Sequence, residues 1–190
     1  MKSDRERWNS RYSDGFEEDP SPDPFLIECS GFLLSGRALD LACGSGGNSI
    51  FLARRGYWVD AFDISLVALR KLKKRAAAVN LSIGCAVVDL DYYPLLANSY
   101  DLITVFNFFS QKLINSIQLA LKCGGLLIYS TFNYNHLSLK PGFGKDYVVP
   151  PGGLGQFFTD IEAIVDMEKS GPAGNISRFV GKNGNLKKII

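Results

Sequence analysis

An α/β fold built on a doubly wound, mostly parallel sheet is what this sequence predicts, and three observations predict it. Short apolar runs alternate with helix-periodic segments along most of the chain. One of those runs passes into a helical pattern through the glycine-rich turn Cys43-Gly44-Ser45-Gly46-Gly47. Acids stand at or near the ends of three successive strand-like runs, at Asp40, Asp63 and Asp89, and in open α/β sheets ligands bind beyond the carboxyl ends of the strands.

Taken in order, the first strand is expected over 37–43 and the helix after the turn over 47–55, with Gly56 as its C-terminal cap. A second strand, 57–62, runs up to Asp63. Ser65 is placed to N-cap a helix over 66–80, which carries Leu66, Leu69 and Leu72 at helical spacing. The third strand, 83–88, ends at Asp89, and 100–106 reads as the fourth. A helix through Ile114, Ile117 and Leu121 then leads to Gly124-Gly125, which turns the chain into a fifth strand over 126–131. Residues 133–155, rich in Gly, Pro, Asn and aromatics, hold no period and read as a long loop. Two further strands are expected at 161–167 and 176–180. The 190 residues have room for one domain. It divides into an arm or cap (1–35), a core (36–132), a loop on the substrate side (133–160) and terminal strands (161–183).

Composition narrows the functional classes. With 21 basic and 19 acidic residues the formal charge is +2, which gives no electrostatic case for nucleic acid or an acidic membrane. The basic run from Arg70 to Arg75 reads as the solvated face of a helix. Four cysteines, without a Cys-x-x-Cys pair, and one histidine argue for small buried thiols rather than a disulfide frame or a metal site. The charged start, Met1-Lys2-Ser3-Asp4-Arg5-Glu6-Arg7, does not resemble a signal peptide. A cytoplasmic protein without a membrane span is expected.

The turn itself selects a cofactor. A dinucleotide fingerprint, Gly-x-Gly-x-x-Gly, would place its third glycine where Ser49 stands. A carboxylate at Asp40, close to the turn, repels a pyrophosphate and suits a ligand with an ammonium and a sulfonium, both of which S-adenosylmethionine carries. Asp63 lies about 20 residues beyond Asp40, the offset at which an acid meets a ribose in such folds. One strand further out, Asp89 is placed to accept from an adenine amine, with the backbone N–H of Leu90 donating to a ring nitrogen.

These residues resemble a known family. Trp8-Asn9-Ser10-Arg11-Tyr12, Arg37-Ala38-Leu39-Asp40-Leu41-Ala42-Cys43-Gly44-Ser45-Gly46, Asp63-Ile64-Ser65, Asp89-Leu90, Tyr100-Asp101-Leu102-Ile103 and Gly124-Gly125-Leu126-Leu127 are similar to class I S-adenosylmethionine-dependent methyltransferases. Within that class they look like the small tellurite-resistance (TehB-type) group. The resemblance implies a seven-stranded, Rossmann-like sheet whose last strand is antiparallel. It implies that Asp40 and the turn Gly44, Ser45, Gly46 hold the methionine part of the cofactor, Asp63 the ribose, and Asp89 with Leu90 the adenine. Ala42, Ile64 and Phe106 join the cofactor contacts. Trp8 and Tyr12 are expected to fold over the cofactor, with Arg11 near its carboxylate, or else to anchor the arm to the core.

On the acceptor side the candidates are Asn107, as an orienting group or a helix cap, and His136, as a base. Aromatics at Phe143, Tyr147, Phe157 and Phe158 are placed to close over a compact acceptor or to roof the core. The chain departs from the group here: Ser110-Gln111 stands where a His-Arg pair is often found, and Gly153 where an acid often follows Pro-Gly. A small-molecule acceptor is the leading expectation. The alternatives are a protein or RNA methyltransferase and an S-adenosylmethionine-binding protein without catalysis.

Overall fold

The computed structural model describes residues 2–16, 20–171 and 174–184, and it divides into two compact units, Met1–Tyr93 and Pro94–Ile190. The first contains α1 (Lys2–Ser13), α2 (Pro24–Glu28), β1 (Gly36–Leu41), α3 (Gly47–Arg54), β2 (Tyr57–Asp63), α4 (Leu66–Ala78) and β3 (Gly84–Val87). The second contains β4 (Tyr100–Phe106), α5 (Ile114–Ala120), β5 (Leu121–Phe132), α6 (His136–Leu139), β6 (Glu162–Gly171) and β7 (Gly174–Lys182). The strands form one seven-stranded sheet in the order β3-β2-β1-β4-β5-β7-β6. It is the mixed α/β architecture that the sequence predicts.

In the first unit β1, β2 and β3 are parallel, with Asp40 opposite Ala61 and Asp63 opposite Val87. The local chemistry explains where the helices start and stop. Gly46 precedes α3 at φ +88°, and Gly56 follows it at φ +86°, conformations that favour glycine. Ser65 caps α4 as expected, its Oγ accepting from the Ala68 N–H at 3.2 Å. Asp23 caps α2, accepting from the Phe25 N–H at 2.8 Å. Leu69 and Leu72 of α4 meet Ile50 of α3 and Ala61 of β2 in one buried cluster. Each large aliphatic side chain so buried stabilises the fold by about 1.5–3 kcal/mol relative to exposure.

In the second unit β5 runs parallel to β4, while β7 pairs antiparallel with both β5 and β6. The expected terminal hairpin is therefore present. Two expectations are corrected. Leu121 opens β5 rather than closing the preceding helix, and Gly124-Gly125 lies inside that strand, not before it. The register slips between Tyr100↔Leu121 and Leu102↔Leu126, so the glycines form a bulge, with Gly124 at φ +78°. A Cβ on Gly125 would come within 3.0 Å of the Tyr100 carbonyl oxygen. The long loop is also more ordered than its composition implies, because it holds α6 and a 3-10 turn at Lys145–Tyr147, with a second at its end, Gly155–Phe157. Among the described residues no helix is long and apolar enough to cross a membrane, and no group of His, Cys, Asp and Glu is placed to hold a metal ion.

Candidate functional site

The turn after β1 is shaped by three left-handed residues in close succession, Ala42 (φ +53°), Gly44 (φ +56°) and Gly46 (φ +88°). Ala42 is the informative one. A non-glycine residue in this region carries strain that the surroundings must hold in place. The hold comes from Asp63, whose Oδ2 accepts from the Gly44 N–H at 2.9 Å and whose Oδ1 accepts from the Ser65 N–H at 2.8 Å. A single carboxylate thus ties the glycine turn to the start of α4.

Asp40 is buried, and the Ser49 hydroxyl donates to its Oδ2 at 2.5 Å. The residue standing in place of a third glycine therefore fastens α3 to β1. Asp40 and Asp63 together set the sign of the local field. Cys43, between them in sequence, has its thiol pKa pushed well up, by burial first and then by Asp63 and Asp40. Cys43 accordingly stays a neutral thiol, and the turn is negative ground. Cys29 is buried as expected and Cys85 is half-buried, but Cys123 is exposed, contrary to the reading of the cysteines as buried thiols.

The arm meets this turn at the start of α4. Asn9 Oδ1 accepts from the Ser65 hydroxyl at 2.8 Å and from the Val67 N–H at 3.3 Å. Trp8, Tyr12 and Phe16 form an aromatic cluster, with ring centroids 6.1, 6.1 and 5.4 Å apart. Arg11 lies 4.9 Å from the Trp8 centroid and 4.4 Å from that of Phe16, so cation–π attraction on two sides restrains an exposed guanidinium. Tyr12 is buried. Beyond β3, Asp89 is half-buried and accepts from the Asp91 N–H at 3.2 Å, with Leu90 buried beside it. Ile64, half-buried, joins Asp63 to Ser65.

Within the second unit Phe106 is buried at the end of β4, and Asn107 follows it, exposed, at φ +55°. The Asn107 N–H donates to the Ser130 carbonyl at 2.9 Å. Asn107 does not cap α5, which a 3-10 turn starting at Gln111 precedes, so that alternative falls away. His136, the candidate base, is enclosed. It is 3% exposed, stacked on Phe132 at 4.2 Å and edge-on to Phe143 at 5.2 Å. Neither ring nitrogen has a hydrogen-bond partner. Burial, and secondarily the charge of Lys140, lowers its pKa. The aromatics split between two roles. Phe158 packs on Tyr129 and Phe179 as a roof to the sheet, whereas Tyr147 is exposed.

His136 makes stability depend on pH with a definite sign. Its native pKa lies below the unfolded value of about 6.5, so the unfolded chain binds the proton first. The protein is expected to keep full stability above about pH 6.5 and to lose it as pH falls toward the lowered native pKa. Replacing His136 with Phe should remove that part of the dependence, and should stabilise the fold at neutral pH by about 1 kcal/mol, because two unpaired buried nitrogens disappear. Urea midpoints for both proteins at pH 7.5 and pH 5.5 would check it. Since this is the chain's only histidine, an unchanged pH difference in the variant would show that His136 is not its source.

Comparison with known proteins now bears on the site. Residues 38–125, which span β1, the turn, β2, β3 and β4, match the model of a family described as a methyltransferase domain. The match covers a little under half of the chain. Its fold is shared with TehB from Haemophilus influenzae, at a TM-score of 0.74 and 17% identity over 93% of this chain and 67% of that one. It is shared too with an S-adenosylmethionine-dependent methyltransferase from Clostridium acetobutylicum, at a TM-score of 0.71 and 16% identity over 95% of this chain and 99% of that one. In sequence, a ubiquinone biosynthesis O-methyltransferase of Coxiella burnetii is 30% identical over 116 residues, 58% of this chain and 50% of the relative. An uncharacterized protein of Mycobacterium tuberculosis is 37% identical over 78 residues, 41% of this chain and 28% of the relative. The chain thus spans half the length of these relatives or less. The segment that matches the family model holds Asp40, Asp63, Asp89 and Asn107 and leaves out the arm and His136.

Reading the sequence alone misses three residues that shape the turn: Asn9, Ser49 and Arg75. Ser49 was signalled only as a missing glycine. Arg75 was hidden in the basic run read as solvated, yet its guanidinium donates to the Ser45 carbonyl at 2.9 Å and to the Pro20 carbonyl at 3.0 Å.

Proposed function

We propose that the protein is an S-adenosylmethionine-dependent methyltransferase that passes the methyl group, by in-line displacement, to a small-molecule acceptor. The observation that carries this reading is the pair of buried carboxylates at the glycine turn, Asp40 near the end of β1 and Asp63, which accepts from the Gly44 N–H at 2.9 Å. A pyrophosphate is disfavoured there, and a sulfonium or ammonium is favoured. When bound, S-adenosylmethionine supplies a methyl carbon already activated by its positive sulfur, which takes the bonding pair as the acceptor atom attacks.

The chain's own residues hold and orient. Gly44, Ser45 and Gly46, with Ala42 and Ile64 alongside, would receive the methionine part and Asp63 the ribose. Asp89 and the Leu90 backbone would receive the adenine, and Phe106 would flank the cofactor. Trp8 and Tyr12 would cover it, and Arg11, restrained between Trp8 and Phe16, would pair with its carboxylate. Positioning alone is a sufficient source of rate, since well-oriented reactions reach effective molarities of about 10⁵–10⁸ M. Asn107, exposed and left-handed with its N–H bonded to the Ser130 carbonyl, is our candidate for orienting an acceptor. His136 in its closed slot is not a base for an open acceptor, so turnover should survive His136→Phe. A compact acceptor is favoured by the aromatic residues after β5 and by the nearly balanced charge.

Calorimetric titration tests the reading. Micromolar affinity for S-adenosylmethionine and S-adenosylhomocysteine, with none for NAD, is expected. Arg11→Ala should weaken S-adenosylhomocysteine by about tenfold, the worth of one charge-assisted pair, and leave 5′-methylthioadenosine, which lacks the carboxylate, unchanged. Binding of NAD, or of neither adenosyl compound, would overturn it.

A further inference from the structure

The glycine turn is clamped from outside by a stretch of the arm. Residues 20–24 read Pro20-Ser21-Pro22-Asp23-Pro24. Alternating prolines fix φ and strip the backbone of donors, leaving a stiff segment that offers mainly carbonyls. The turn and α4 answer with matching groups. Arg75, from the last turn of α4, donates through one nitrogen to the Pro20 carbonyl at 3.0 Å and through the other to the Ser45 carbonyl at 2.9 Å. The Asp23 N–H finds its acceptor in Asn48 Oδ1 at 2.8 Å. Between these tethers the backbone of Gly47 approaches so closely that a Cβ would lie 2.4 Å from the Ser21 carbonyl oxygen.

A cavity of about 420 Å³ borders the strap, lined in part by Pro20, Ser21, Phe51, Arg54 and Arg75, so packing at Gly47 is supplemented by the polar tethers. Ser45 is fully buried while Arg75 is half-buried. We infer that Arg75 is a positioning residue for cofactor binding: with Asn48 it joins the Pro20–Asp23 strap to the glycine turn and holds the strained Ala42–Gly46 conformation ready before any ligand arrives. This rests on the proposed use of the turn for S-adenosylmethionine. A lysine could reach one carbonyl but lacks the rigid fork that serves two at once, so a purely electrostatic role and a bridging role predict different behaviour.

The experiment uses the full chain and the variants Arg75→Ala, Arg75→Lys and Asn48→Ala, with two readouts. Hydrogen exchange in the absence of ligand is expected to quicken at residues 43–49 in Arg75→Ala and less so in Arg75→Lys. Affinity for S-adenosylhomocysteine should fall by about tenfold in Arg75→Ala, in line with losing hydrogen bonds from a charged group, with partial recovery in Arg75→Lys and a smaller loss in Asn48→Ala. A lower melting temperature with exchange at 43–49 and affinity both unchanged would overturn the inference and leave Arg75 a stabilising residue only. If the wild type binds no adenosyl compound, the methyltransferase reading fails instead, and unaltered exchange in Arg75→Ala would still refute the strap.

Discussion

Asp63→Ala is expected to abolish cofactor binding and to cost the fold about 2–5 kcal/mol, since two N–H groups lose a charged acceptor and are left buried without one. The donors are those of Gly44 and Ser65, at 2.9 and 2.8 Å, and the carboxylate is 6% exposed. Neither donor has an obvious substitute. Gly44 sits at φ +56° because its N–H is drawn toward β2, and the Ser65 backbone begins the turn that its own side chain caps. Asp63→Asn separates structure from ligand. An amide offers one acceptor oxygen and must turn an NH₂ toward one of the two donors, so an intermediate loss of stability is expected. Urea denaturation of the three proteins, followed by titration of S-adenosylhomocysteine into those that remain folded, checks both effects. A folded Asp63→Ala protein with wild-type affinity would remove Asp63 from the site and from the account of the turn.

That double duty marks the boundary of what the sequence discloses. The α/β class, the antiparallel ending, Ser65 as a cap and Gly56 as a stop all follow from short-range rules, since each depends on residues within a few positions of one another. The aspartates near the ends of the first three strands are legible for the same reason. Their partners are not. That Asp63 would bind Gly44, that Ser49 would bind Asp40 and that Asn9 would reach Ser65 are facts of tertiary placement, and no local pattern separates a serine that bonds a buried acid from one that merely occupies a glycine's place. Arg75 is the sharpest case. In a helix, three- and four-residue spacing decides which cation faces inward, but Arg70, Lys71, Lys73, Lys74 and Arg75 leave that choice open until the strap's position is known. The bulge at Gly124-Gly125 was misread because glycine pairs more often end elements than interrupt them, and here β5 resumes after it in shifted register. His136 stands in sequence as a candidate base just after the fifth strand, whereas Phe132 and Phe143 enclose it.

Gly46→Ala should be severely damaging for a single-methyl change, because backbone and packing penalties fall on the same residue. At φ +88° an alanine pays about 1–2 kcal/mol for the left-handed conformation. Its Cβ would stand at van der Waals-violating distance from Leu72, 2.1 Å from one terminal carbon and 2.8 Å from Cγ. Leu72 is fully buried among Ile50, Ala61 and Leu69, so it has nowhere to retreat, and overpacking of this kind costs typically about 1–3 kcal/mol more. Relief has only one direction, a shift of the turn away from α4, which would stretch the Gly44–Asp63 bond and the Arg75–Ser45 bond together. Loss of S-adenosylhomocysteine binding is therefore expected even where the variant remains folded at low temperature. A double-mutant cycle with Leu72→Ala isolates the steric part. Truncating Leu72 alone creates a cavity, a loss of about 2–5 kcal/mol, but in the Gly46→Ala background the same truncation also removes the clash. The combined loss should fall short of the sum of the two by at least about 1 kcal/mol, a coupling typical of residues in contact. Strict additivity in denaturation midpoints would mean that Gly46 is required for its backbone angle alone, and the close approach of α4 to the turn would then play no part in shaping the site.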